Sequence, residues 1–198
     1  MSCEIELKYS LPENLTENEV FAAADFPSPI DEIKMVCTYL DTEDNALGKT
    51  MASLRHRMEN DVSVFTVKTP GTEKGALARR GEWEVAANCL EEALPLLLSA
   101  GVDSFIIETA KKPLFPVAKF EYLRKCAVVR GDDFSAELCV DIGYLSPDGI
   151  KCVPLREVEL ELIDGDPAAL CKYGESLMTK LSLTPEHRSK LFRARNLK

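Results

Sequence analysis

From Cys3 to Tyr9 the chain alternates strictly, with Cys3, Ile5, Leu7 and Tyr9 on one side and Glu4, Glu6 and Lys8 on the other. A period of two is that of a strand with one buried face. Seven further stretches read as strands: Lys34–Asp41, Ala52–Glu59, Val62–Thr69, Arg79–Ala86, Val117–Arg130, Phe134–Asp141 and Pro154–Ile163. Turn signals separate several of them, at Glu59-Asn60-Asp61, Pro70-Gly71, Gly131-Asp132-Asp133 and Ser146-Pro147-Asp148-Gly149,. A connection as short as Asn60-Asp61 favours an antiparallel hairpin. Helices are expected at Pro12–Asp25, which is acidic in its first turn, and at Leu90–Ala100, which closes at Gly101,. Two more are expected at Pro167–Leu181, behind Gly165-Asp166 as N-cap, and at Pro185–Arg193,. Gly71–Gly75 superficially resembles a phosphate loop but lacks the Gly-Lys-Ser/Thr ending, and is read as a mobile connection,. Strands dominate and helices are added, so the fold class is α+β: a barrel or sandwich with outer helices. With no repeat, low-complexity tract or linker in view, a single domain over residues 1–198 is expected.

The polar faces of these strands are charged in a way a merely solvated face does not require. Glu157, Glu159 and Glu161 share a face opposite Val158, Leu160 and Leu162. Arg55 and Arg57 share one, as do Arg80, Glu82 and Glu84, and also Glu137 and Asp141, while Lys68 and Arg124 add single cations. Carboxylates two residues apart on a strand lie about 6.6 Å from each other. At an effective dielectric of about 20, each neighbouring pair repels by about 2.5 kcal/mol. Three glutamates then sum to about 6 kcal/mol, similar to the net stability of a domain. In open water most of that vanishes; in an enclosure it demands cations, which the other strands supply. An inside-out barrel, charged in the bore and apolar towards outer helices, fits. Its carboxylates would suit a hard ion such as Mg²⁺ or Mn²⁺, and its arginines and lysines would grip phosphate oxygens.

Composition narrows the possibilities further. The 198 residues are 45% hydrophobic and 29% charged, as in an ordinary globular protein,. No apolar run approaches a membrane span and the N-terminus lacks a signal-peptide core, so a cytoplasmic location is expected,. A net charge of −9, from 24 basic and 33 acidic residues, argues against a nucleic-acid partner. It leaves room for a small anionic ligand gripped by a local basic cluster. The seven cysteines are scattered without a Cys-x-x-Cys pair, and neither His56 nor His187 has a cysteine nearby, which argues against a zinc finger,. They are expected to be reduced, buried and inert. His56, between Arg55 and Arg57, faces away from the bore, and Trp83, between Glu82 and Glu84, is read as a core anchor.

Taken in order, these residues resemble the CYTH superfamily, the triphosphate tunnel metalloenzymes. Glu4-Ile5-Glu6-Leu7-Lys8 matches the ExExK signature at the N-terminus. The likeness continues through Tyr39-Leu40-Asp41-Thr42, Leu54-Arg55-His56-Arg57, Thr66-Val67-Lys68, Arg80-Gly81-Glu82-Trp83-Glu84, Arg124, Asp141, Glu157–Glu161 and Ser189-Lys190. It looks closest to the bacterial inorganic triphosphatases. The resemblance implies a closed eight-stranded antiparallel β-barrel, or tunnel, and chemistry on triphosphates with Mg²⁺ or Mn²⁺ as cofactor. By matching position it implies metal binding by Glu4, Glu6, Glu157 and Glu159, joined by Asp141, Glu82 and Glu84. Phosphate binding falls to Lys8, Arg55, Arg57, Lys68, Arg80 and Arg124, and Lys190 from the last helix plugs the bore. Two features depart from the family pattern. The helical, histidine-rich CHAD domain of many bacterial members does not follow within these 198 residues. Phe192 also precedes Arg193, where the family often has an acidic residue.

The expected activity is hydrolysis of inorganic triphosphate to pyrophosphate and phosphate, with Glu157, Glu159, Glu161 and Lys8 as the catalytic candidates and one of the carboxylates positioning the water. Thiamine triphosphatase, nucleoside triphosphatase and class IV-type adenylyl cyclase share the tunnel and are the alternatives, although no adenine-reading motif is evident. A silent polyphosphate- or nucleotide-binding protein is the alternative from another class. The expected partner is a small triphosphate, with no membrane contact, and the chain is expected as a monomer or homodimer.

Overall fold

The computed structural model describes residues 3–24, 28–74, 76–146 and 152–196. In chain order the elements are β1 (Cys3–Ser10), α1 (Glu17–Ala23), β2 (Asp31–Thr42), α2 (Ala46–Lys49), β3 (Ser53–Glu59), β4 (Val62–Lys74) and β5 (Leu77–Ala86). Then follow α3 (Leu90–Ala100), α4 (Ser104–Ala110), β6 (Leu114–Arg130), β7 (Phe134–Ser146), β8 (Val153–Gly165), α5 (Pro167–Leu181), β9 (Thr184–Pro185) and α6 (Lys190–Arg195). The strands hydrogen-bond in the order β5-β4-β3-β2-β6-β7-β8-β1, and β1 returns to β5, closing an eight-stranded antiparallel barrel. β1 can serve both neighbours because it divides its edge: residues 3–7 pair with β5, and the short β9 takes over at Tyr9 and Ser10.

Two apolar layers coat the outside. Leu7 and Tyr9 of β1, Leu138 and Val140 of β7, and Val158 and Leu160 of β8 pack under α1 and α5. Leu54, Phe65, Val67 and Trp83 of β3–β5 pack under α3 and α4, placing Trp83 in the core. His56 also points outward: its ring stacks on Phe65 at 4.6 Å and its Nε2 lies 2.9 Å from the Ser63 hydroxyl. Among the described residues no helix is long and apolar enough to cross a membrane.

Several boundaries differ from the sequence expectation, each for a local reason. α1 starts at Glu17, not Pro12, because Thr16 and Glu19 form a reciprocal capping box,. α6 starts at Lys190, not Pro185, with Ser189 as its N-cap. Pro70-Gly71 is no turn, and 71–74 is no connection. β4 runs on to Lys74 past a bulge after Lys68, and a Cβ on Gly71 would lie 1.8 Å from the Arg79 carbonyl oxygen,. The short α2 and α4 and β9 carry too few residues for a periodic signal. The turn expected at Ser146–Gly149 falls largely outside the described residues.

Candidate active site

The bore is not charged along its whole length. On β8 the inward positions run Leu155, Glu157, Glu159, Glu161; on β6 they run Ala118, Phe120, Tyr122, Arg124. One half is therefore apolar, with Met35, Cys37, Tyr39, Phe120, Leu145 and Leu155 closing on Leu191 and Ala194 of α6. This corrects the expectation of a bore lined by charge alone. The other half opens into a cavity of about 1260 Å³ that also touches Met35, Tyr39 and Leu191 at the edge of the apolar set, and is lined among others by Glu4, Glu6, Lys8, Arg55, Arg57, Lys68, Arg80, Arg124, Glu82, Glu84, Glu159, Glu161 and Lys190.

The charged half divides into two groups. The first lies on β1 and β3–β5, where acid and base alternate from strand to strand. Arg80 donates to Glu4 at 2.6 Å and to Glu6 at 2.5 Å. Lys68 lies 2.6 Å from Glu82 and 3.3 Å from Glu4, and Lys8 is 3.9 Å from Glu6. Arg55 donates to Thr66 at 3.1 Å and to Glu84 at 3.0 Å, and Arg57 pairs with Glu84 and Glu59. Glu4 and Glu82 are hydrogen-bonded to each other. Burial opposes the charge of both, but Lys68 and Arg80 hold the Glu4 carboxyl well below its usual range. Glu82, pushed up by burial and by the neighbouring Glu4, rises to about 8. The opposite directions of the two shifts favour sharing of one proton by the Glu4–Glu82 pair,. Burial also opposes ionisation of Glu84, yet Arg57 and Arg55 bring it down to about 2.

The second group lies on β6–β8 under α6. Asp141, Glu157 and Glu159 bring carboxylate oxygens within 4.8 Å of one another. Arg124 grips both oxygens of Asp141, at 2.7 and 2.8 Å, and Glu159 at 2.6 Å. The Lys190 ammonium sits among all three, 3.0 Å from Asp141, 2.6 Å from Glu157 and 2.7 Å from Glu159. Arg193, one helical turn on, reaches Glu157. Burial lifts the Glu157 carboxyl, whereas Lys190 and Arg124 outweigh burial at Glu159 and hold it well below the usual range. Among the described residues this is the one all-oxygen group of three that could hold a metal, and its hard donors fit Mg²⁺ or Mn²⁺,. Glu4, Glu6, Glu82 and Glu84 are not part of it. Lys8 and Glu6 connect the two groups, standing in register opposite Glu159 and Glu161. Glu161 has no ion-pair partner among the described residues. Its side chain reaches solvent at the cavity, yet partial burial against the tunnel wall and the negative charges of Glu4, Glu159 and Glu6 push it up to about 7.

Several participants escaped the sequence reading. Glu59 continues the Arg55–Arg57 alternation and Arg193 follows Lys190 at helical spacing, so both carried a usable signal. Asp41 accepts from the Leu47 and Gly48 amides and so starts α2 beneath Arg195, which no spacing rule predicts. The cysteines are not uniformly buried: Cys152 is exposed, and Cys89 and Cys171 are half-buried.

Residues 2–192 match the CYTH domain family. Among solved structures the fold is similar to that of a candidate adenylyl cyclase from Hippeastrum, described as having a dominant triphosphatase activity. That match has 16% identity and a TM-score of 0.68, and covers 98% of this chain and 97% of the other. A Pyrococcus horikoshii protein matches with 19% identity and a TM-score of 0.58, over 96% and 97% of the two chains. A candidate adenylate cyclase from Vibrio parahaemolyticus matches with 18% identity and a TM-score of 0.55, over 94% of each.

Proposed function

The chain belongs to the CYTH domain family, and from that premise we propose that it is a divalent-metal-dependent hydrolase of small triphosphates, acting on inorganic triphosphate. The observation that carries this reading is the meeting of two inventories: six cations spread over β1 and β3–β6 line one cavity, and an all-oxygen carboxylate group reaches that cavity through Glu159. Arg55, Arg57, Lys68, Arg80, Arg124 and Lys8 bind and orient the phosphates, Arg through its planar fork. Asp141, Glu157 and Glu159 would hold Mg²⁺ or Mn²⁺, which when bound neutralises charge on the terminal phosphoryl group,. Water attacks the terminal phosphorus, the bond to the bridging oxygen breaks, and pyrophosphate leaves towards Lys8 and Arg80. Glu161, without a cation partner among the described residues and open to the cavity, takes the proton of the attacking water. Phosphate release from inorganic triphosphate, ATP, thiamine triphosphate and pyrophosphate, each with Mg²⁺ and with Mn²⁺, tests the proposal. Metal-dependent turnover of inorganic triphosphate is expected; no turnover of any triphosphate under either metal overturns it.

A further inference from the structure

Cys126 on β6 and Cys139 on β7 stand directly opposite each other in the antiparallel register, one step along from the Arg124–Asp141 pair and on the same tunnel-facing side. The sequence keeps them apart, and only the β6–β7 hairpin makes them neighbours. The next inward residue of β7, Glu137, lines the cavity and accepts a hydrogen bond from the Cys139 thiol at 3.2 Å. Both sulfurs and a Glu137 oxygen lie within 4.8 Å of one another. Ligand atoms around a tetrahedral zinc ion are about 3.3–3.8 Å apart, from metal–ligand bonds of about 2.0–2.3 Å. Modest side-chain rotation would therefore close the set on an ion. A second observation points independently to a cation. Glu137 stands opposite Glu161 across β7 and β8, and neither carboxylate has an ion-pair partner among the described residues. Like charges directly opposite in a sheet are destabilising.

We propose that Cys126, Cys139 and Glu137 form a second metal site, for a thiophilic divalent ion of the zinc class, distinct from the all-oxygen group of Asp141, Glu157 and Glu159. Two thiolates select a soft ion, whereas the oxygen group selects a hard one, so the same tunnel sorts the two kinds of metal. Binding releases the two thiol protons to solvent. It leaves the fourth coordination position facing the cavity, for water or Glu161. This site stands whether or not the triphosphatase reading holds.

The test is a titration of the reduced, metal-free full chain with Cd²⁺ in millimolar Mg²⁺, read by the ultraviolet thiolate-to-cadmium charge-transfer band. One equivalent with two thiolates is expected. The band should vanish in Cys126→Ser and in Cys139→Ser, Glu137→Gln should weaken binding at least tenfold, and Cys152→Ser should change nothing. X-ray absorption on the zinc-loaded native chain, which needs no variant, should show two sulfur ligands with oxygen completing the shell. A shell of oxygen and nitrogen alone, or an undiminished band in the Cys126→Ser/Cys139→Ser double variant, overturns the proposal.

Discussion

Glu4 and Glu82 share a hydrogen bond inside the tunnel, where burial and the neighbouring Glu4 push the Glu82 carboxyl up, and that arrangement links folding to pH. Glu82 titrates at about 8 in the folded chain against a usual carboxylate value of 4.5. Between those values the folded state binds a proton that the unfolded state has lost, so stability is greatest below the window and falls as pH rises through it. Glu161, at about 7, contributes with the same sign. The melting temperature of the metal-free protein should therefore decline from about pH 5 to about pH 8, and Glu82→Gln should flatten the decline. A native profile already as flat as the variant's would mean that Glu82 is ionised throughout. Arg55 offers a different test at the same scale. It donates to Thr66 and Glu84, and Arg57 keeps Glu84 paired when Arg55 is removed. Arg55→Ala should fold, yet weaken triphosphate binding by about 1.5–3 kcal/mol for one lost charge-assisted contact. Unchanged Michaelis constant and turnover would remove Arg55 from the phosphate site.

Among the elements, the six-residue α6 contributes to both the charged and the apolar part of the bore. Lys190 places its ammonium between three carboxylates, Arg193 adds to Glu157, and Leu191 and Ala194 pack into the apolar half of the bore. Lys190→Met keeps the length and apolar stem but leaves Asp141, Glu157 and Glu159 without the cation they share. Removing one partner from a buried ionic group costs about 3–5 kcal/mol, so the metal-free variant should melt well below the native chain. A divalent cation that competes with Lys190 for these oxygens should then stabilise the variant more than the native protein. Thermal melting of both with and without Mg²⁺ or Mn²⁺ checks this; equal metal-induced shifts would place the ion elsewhere. The element scale is also where the sequence is most and least legible. Leu90–Ala100 and Pro167–Leu181 match α3 and α5 end to end because Gly101 and Asp166 punctuate them plainly. The extension of β4 to Lys74 was hidden because Pro70-Gly71 reads as a turn in isolation and as a bulge only beside Arg79 of β5.

For the whole molecule, the alternation of Glu4, Glu6 and Lys8 and of Glu157, Glu159 and Glu161 by itself indicates an enclosed, charged interior. What alternation could not show is that the same inward rows turn apolar at Leu155, Phe120 and Tyr39, since a strand carries the same period whichever way its enclosed face is lined. That change makes the tunnel one-sided: α6 walls the charged cavity with Lys190 and Leu191, and behind it Phe120, Leu145, Leu155 and Ala194 form a packed core. Substrate length follows from that geometry. On the proposed reading, three consecutive phosphates engage the cations from Arg57 to Arg124 together. Pyrophosphate reaches fewer of them and leaves enclosed charges that no phosphate compensates, which is costly. A long polyphosphate meets Phe120, Leu145 and Leu191 where it would need an exit, so it can enter only by an end. Inorganic triphosphate should therefore be cleaved far faster than pyrophosphate or long chains when the three compete at equal concentration with metal in excess. Preference for pyrophosphate, or conversion of ATP to cyclic AMP and pyrophosphate, would reject the triphosphatase reading. Processive shortening of long chains would show that the apolar end opens and that α6 moves during turnover.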